Sequence, residues 1–381
     1  MRVKVMQTMQ LDLINSFRNP EHIKALAKLI KKECISKINI MEVCGGHTHT
    51  IMKYGLPQIL PDLIEFIHGP GCPVCIMPKE RIDHAIALAS MDNTILATLG
   101  DMIRVPGSKT SLQKIRAEGK DIRSLYSPLD VIKIAKENPD KKVIFFAIGF
   151  ETTTPMTASL IKEVIKQDIK NLYFHINHVT VPEPIDAIME DGNNRINAFL
   201  GPSHVSVITG YGIFEPISKK YGTPIVVAGF EPVDVMEAIL MVVRQVNTKQ
   251  SKTENQYKRA VSKEGNTNAQ NLIDKYMKRR SHFRWRGLGD IPNSALQLRD
   301  EYAKYDAEVL FDEILPKDEI DDHKMCICGD ILKGNAKPMD CKVFGKACNP
   351  SNPMGSCMVS SEGACAAYYK YGKFIDKGMI K

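Results

Sequence analysis

Val143-Ile144-Phe145-Phe146-Ala147-Ile148-Gly149-Phe150-Glu151-Thr152-Thr153-Thr154-Pro155 begins as an unbroken apolar run, stops at a glycine and enters a helix-like stretch. A short apolar run bounded by a turn signal reads as a strand buried on both faces, the kind found in parallel sheets. Similar runs occur at Ile38–Val43, Leu63–His68, Thr94–Leu99, Leu172–Asn177, Val205–Thr209 and Pro224–Ala228. Val226-Val227-Ala228-Gly229-Phe230-Glu231 repeats the junction of the first run. Strands alternating with helical patterns predict a parallel α/β architecture. The polar stretch 247–271 breaks this rhythm, and the sequence after it shows no strand periodicity. The expected organisation is an N-terminal helical segment over 1–36, a first α/β lobe over 37–118, a second over 119–245, and a smaller cysteine-rich, mostly helical and loop domain over 246–381.

The 381 residues suit two or three domains, and 44% hydrophobic with 25% charged residues is an ordinary globular balance. No apolar run approaches the length needed to span a bilayer, so membrane insertion is not expected. Met1–Gln7 lacks the apolar core of a signal peptide, which predicts a cytoplasmic protein. The formal net charge is +7. One basic run, Lys275, Lys278, Arg279, Arg280, Arg284 and Arg286 around His282 and Trp285, has a single aromatic placed to stack. It reads as a solvated or protein-docking face, and no nucleic acid is expected.

Ten cysteines in a reducing compartment point to metal or redox chemistry instead of a disulfide framework. Cys34, Cys44, Cys72 and Cys75 lie early, and the other six follow residue 325. Ligands of parallel sheets bind beyond the carboxyl ends of the strands, and the unusual motifs stand there. Cys44-Gly45-Gly46-His47-Thr48-His49 follows a strand. A helix starting near His47 would turn its free N–H groups on Cys44 and lower the thiol pKa, while His47 or His49 could ligate metal or move protons. Gly69-Pro70-Gly71-Cys72-Pro73-Val74-Cys75 spaces two sulfurs for a disulfide or a shared metal ion. Asp101, in Gly100-Asp101-Met102, could accept a proton or cap a turn, and Thr152–Thr154 could hold an anion at a helix start. His175, His178 and His204 read individually as structural histidines.

The tail carries Cys326-Ile327-Cys328, Cys341, Cys348, Cys357 and Cys365. Their gaps do not match paired zinc ligands and suit an iron–sulfur cluster better, with zinc and free thiols left as the alternatives.

Taken together, Cys44–His49, Gly69–Cys75, Gly100–Gly107, Gly149–Thr153, Trp285-Arg286-Gly287-Leu288-Gly289 and Cys357–Tyr369 resemble the HypD family of hydrogenase maturation proteins over nearly the whole chain. The resemblance implies two α/β lobes with a 4Fe–4S domain, and a scaffold for the Fe(CN)2CO moiety of NiFe hydrogenase more than a turnover enzyme. It implies iron bearing CN and CO held transiently on Cys44 with His47 nearby, and a redox pair Cys72/Cys75. Asp101, His204 and Glu362 would be polar groups of the site. Cluster ligands would be Cys328, Cys341, Cys348 and Cys365, with Cys326 or Cys357 as alternatives for one of them. The small chaperone HypC and the cyanide donor HypE are the implied partners. A stand-alone iron–sulfur thiol–disulfide oxidoreductase is the rival from another class.

Overall fold

A computed structural model describes residues 15–192 and 194–372. The first fourteen residues, on which the reading of no signal peptide rests, lie outside the described part, as do 373–381. Nine strands build two parallel sheets: β1 (Ile38–Glu42), β2 (Ile64–His68), β3 (Thr94–Leu99), β4 (Asp121–Leu125), β5 (Lys142–Gly149), β6 (Leu172–His178), β7 (Ala198–Pro202), β8 (Ile225–Ala228) and β9 (Thr253–Asn255). The first sheet runs in the order β2-β1-β7-β8-β9 and the second in the order β4-β3-β5-β6. All five residues of β1 and of β7 are buried, as expected for strands covered by helices on both faces.

The sheets do not follow the expected divisions at 37–118 and 119–245. The chain leaves the first sheet after β2, completes the whole second sheet, and returns to place β7 beside β1. The lobe holding Cys44 and Cys72 is therefore discontinuous. The N-terminal helix Pro20–Glu33 belongs to it, burying Leu26, Ala27 and Ile30 and packing on the helix Pro232–Asn247. Asn19 caps this helix, its side chain accepting from the Glu21 and His22 N–H groups.

Two further expectations are corrected. Val205–Thr209 is not a strand; Ala198–Pro202 is, and Ser203–Thr209 forms the helix after it. The region beyond 271 does contain strands: β10 (Met277–Arg279) pairs antiparallel with β13 (Leu296–Leu298), and β11 (His282–Trp285) with β12 (Gly289–Pro292). Apart from Lys275, which stands on the helix Thr267–Tyr276, the bases of the basic run lie on or beside these ribbons and are paired within the chain. Lys278 pairs with Asp300, Arg279 with Glu183, Arg280 with Glu308, Arg284 with Asp321 and Arg286 with Asp322. The cysteine-rich tail packs against the first lobe, and Cys328, Cys348, Cys357 and Cys365 share one buried apolar cluster with Cys72 and Cys75. Among the described residues no helix is long and apolar enough to cross a membrane.

Candidate metal centre

The carboxyl ends of both sheets line one cleft of ≈ 550 Å³. From the first sheet come Cys44 after β1, Gly71 after β2 and His204 after β7; from the second come Asp101 after β3, Tyr126 after β4 and Thr153 after β5. Ser360, Ser361 and Glu362 of the tail complete the wall. Six strand ends thus converge, and the tail closes over them.

Cys44 is the extended N-cap of the helix Gly45–Lys53, and the N–H groups of Gly46 and His47 favour its thiolate. The lowered pKa expected from that geometry does not result. Burial, followed by the carboxylate charge of Glu362 and then of Glu42, pushes the thiol up to about 12. Without a cation the sulfur keeps its proton; a bound metal ion would displace it. The glycines around it answer to close approach. A Cβ on Gly71 would stand 2.3 Å from the Cys44 backbone N, and one on Gly45 would stand 2.3 Å from Glu362 Cβ.

His47 does not line the cleft. It is fully buried, its Nε2–H donating to Ala228 O at 3.0 Å and lying 3.2 Å from Gly229 O, while Nδ1 has no partner. Burial holds its pKa down at about 4, so the ring is neutral. His47 and His204 both pack on Phe230, at centroid distances of 4.7 and 4.2 Å. His49 meets Tyr371 edge-on and so fastens the tail helix. Asp101 pairs with Arg104 at 3.2 Å, and its charge reaches Glu362, whose carboxyl is raised by burial first and by Asp101 second.

Cys72 and Cys75 are disulfide-bonded, Cα atoms 5.2 Å apart, on the short helix that follows β2. Both are buried, with Pro73 and Val74 between them facing the cleft. In the tail the expectation named Cys328, with Cys326 or Cys357 as alternatives. Cys328 is bonded to Cys357, and the free cysteines there are Cys326, Cys341, Cys348 and Cys365. Burial, and after it charge on Cys326, Cys348 and Cys341, opposes the ionisation of Cys365, so the four thiols share one electrostatic neighbourhood. Gly355 makes room for Cys326, since a Cβ there would lie 2.6 Å from its Sγ. Four such thiols without a second Cys-x-x-Cys are a donor set that fits an iron–sulfur cluster.

The family model described as "HypD: Hydrogenase formation hypA family" matches residues 21–372. The chain belongs to the HypD family. Hydrogenase maturation factor HypD2 of Bradyrhizobium diazoefficiens is 50% identical over 371 residues, covering 95% of this chain and 97% of the relative. Hydrogenase maturation factor HypD of Azotobacter vinelandii is 48% identical over 368 residues, 94% of this chain and 97% of that one. Its namesake in Escherichia coli is 44% identical over 351 residues, 92% and 94%.

Some parts of this HypD-family site had no signal in the sequence. Glu42 accepts from Thr48 Oγ1 at 2.5 Å and pairs with His68, whose Nε2 meets Tyr368 OH at 2.9 Å, joining two strand ends to the tail helix. His84, His175 and Glu308 lie close enough to hold a metal ion, but Glu308 already pairs with Arg81 and Arg280, and His84 Nε2 is engaged by Pro316 O. His175 and His178 are structural, the latter bonded to Thr157 Oγ1 at 2.8 Å.

Proposed function

We propose that this chain is the cytoplasmic scaffold on which the Fe(CN)2CO moiety of NiFe hydrogenase is assembled, with iron as cargo on the Cys44 sulfur. The observation that carries this reading is the placement of Cys44 where the strand ends of both sheets and the tail meet. A thiolate is a soft ligand suited to low-spin ferrous iron. Asp101, His204 and Glu362 stand around the same cleft, where they can orient or protonate ligands being installed. His47 acts from beneath, fixing the loop through Ala228 and Gly229. HypC would dock at the open side of the cleft, and HypE would deliver the cyanide-bearing group there.

Cys326, Cys341, Cys348 and Cys365 would hold a 4Fe–4S cluster, with Cys326 in the position first expected of Cys328. When bound, such a cluster supplies single electrons. The Cys72–Cys75 disulfide opens on taking two electrons and two protons, giving two thiols one residue behind the cleft wall. The segments of the two disulfides are neighbours, since Ser356 next to Cys357 is bonded to Cys75. That arrangement suits electrons delivered from the tail to the cleft. The rival, an oxidoreductase acting on protein disulfides, is disfavoured by burial: Cys72 and Cys75 are 3% and 0% exposed, out of reach of a protein thiol.

Complementation tests the reading. In cells lacking their own HypD, the wild-type chain should restore NiFe-hydrogenase activity and Cys44→Ala should not. Restoration by Cys44→Ala would remove the iron from Cys44.

A further inference from the structure

Arg286 lies between the two groups of redox cysteines and uses none of its charge on either through a direct protein bond. Its backbone N–H donates to Ile76 O at 2.7 Å, one residue past Cys75. The next residue, Gly287, has φ +76° and packs on Gly329 so closely that a Cβ would stand 2.3 Å from the Gly329 Cα. The chain is thereby pressed against the residue that follows Cys328. The Arg286 side chain is 2% exposed. Its Nε donates to Asp322 Oδ1 at 2.6 Å. Nη2 lies equally near the same oxygen, but at an angle that forms no hydrogen bond, and neither Nη1 nor Nη2 has an acceptor. Arg286 lines a cleft of ≈ 350 Å³ together with Cys326, Ile327 and Gly329. The acids beside it are Asp321, held by Arg284, Asp322, and Asp330 on the rim.

A buried guanidinium with idle donors is unfavourable unless an acceptor arrives. Sulfur in an anionic metal–thiolate assembly is such an acceptor, and hydrogen bonds to cluster sulfurs are a recognised control on reduction potential. We propose that Arg286 donates from Nη1 and Nη2 to the sulfurs of the centre that Cys326 joins, stabilising its more negative, reduced form and raising its potential. This rests on the reading of Cys326, Cys341, Cys348 and Cys365 as cluster ligands. The reduction adds one electron to the cluster and moves no proton through Arg286, which stays charged throughout.

The test is a potentiometric titration of the anaerobically reconstituted full chain, followed by electron paramagnetic resonance and by iron and sulfide content. Arg286→Met should keep the iron and shift the midpoint negative by at least a tenfold change in the reduction equilibrium, ~59 mV for one electron. Arg286→Met with Asp322→Asn removes the carboxylate left unpaired and should remain below wild type, which separates lost donors from gained charge. Arg286→Lys, which keeps the charge with a different donor geometry, should fall between, and it serves if the methionine variants fail to fold. Midpoints equal to wild type in cluster-loaded Arg286→Lys and in the double variant would overturn the proposal. A wild-type chain that binds zinc and no iron would instead remove the cluster reading beneath it.

Discussion

The hydroxyl of Ser356 donates to the backbone carbonyl of Cys75 at 2.6 Å, tying the cysteine-rich tail to the Cys72–Cys75 loop. Both groups are buried, and the Cys75 sulfur in turn approaches the Ser356 carbonyl at 3.9 Å. Ser356→Ala leaves the Cys75 carbonyl without this donor and should cost about 1–3 kcal/mol, read as a lower denaturant midpoint. The same variant should speed labelling of Cys72 and Cys75 by a thiol reagent after reduction. Unchanged labelling would mean that the tail does not guard the pair.

The two cysteines of Cys326-Ile327-Cys328 should behave oppositely. Cys326→Ala is expected to lose visible absorption and most of about four irons per chain, whereas Cys328→Ala keeps them and loses only its bond to Cys357. Iron and sulfide assays on the two purified variants decide between them. Bleaching by Cys328→Ala alone would reverse the assignment.

Gly71→Ala should damage the proposed iron site without removing any polar side chain. The added methyl would meet the Cys44 backbone N and Cα at 2.3 and 2.5 Å, and backbone cannot swing aside as a flexible side chain can. Overpacking of this kind costs about 1–3 kcal/mol. Iron retention at the cleft should fall while the tail chromophore persists, which absorbance and iron content together will show.

Stability should peak near pH 6.5. Burial holds His84 and His178 at about 4 in the folded chain, against an ordinary 6.5 when unfolded. Between those values the unfolded state binds more protons, so stability rises with pH, by roughly 3 kcal/mol for each histidine. Glu151 works the other way: burial raises its carboxyl to about 8, so the folded state keeps a proton that the unfolded state has released above 4.5. Above pH 6.5 this term is no longer offset, and stability should fall by about 2 kcal/mol toward pH 8. In Glu151→Gln that alkaline fall should vanish, as denaturation at pH 6.5 and 8 will reveal. An unchanged fall would assign it to other groups.

The sequence revealed what local patterns control. β5 is a run of apolar residues ended by Gly149, and the chain does turn there. That a helix begins close behind Cys44 was legible, since a strand ends at Glu42 and two glycines follow; it was expected near His47 and starts at Gly45. The raised pKa of Cys44 was not, because it comes from burial and from Glu362 at the other end of the chain. Val205–Thr209 has the β-branched composition of a strand, yet packing puts Ala198–Pro202 beside β1 and leaves 203–209 to wind as a helix, with Ser206 Oγ bonded back to Pro202 O. The strands of 277–298 are three or four residues long, too short to show a period. Spacing alone could not separate Cys326 from Cys328, since which one meets Cys357 is decided by the fold of the intervening loop.

Infrared spectroscopy of the anaerobically purified chain, alone and with HypC, tests the central claim most directly. Wild type should show bands in the cyanide and carbonyl regions; Cys44→Ala should lose them and keep the visible absorption of the tail. Bands that persist at full strength without Cys44 would contradict the account.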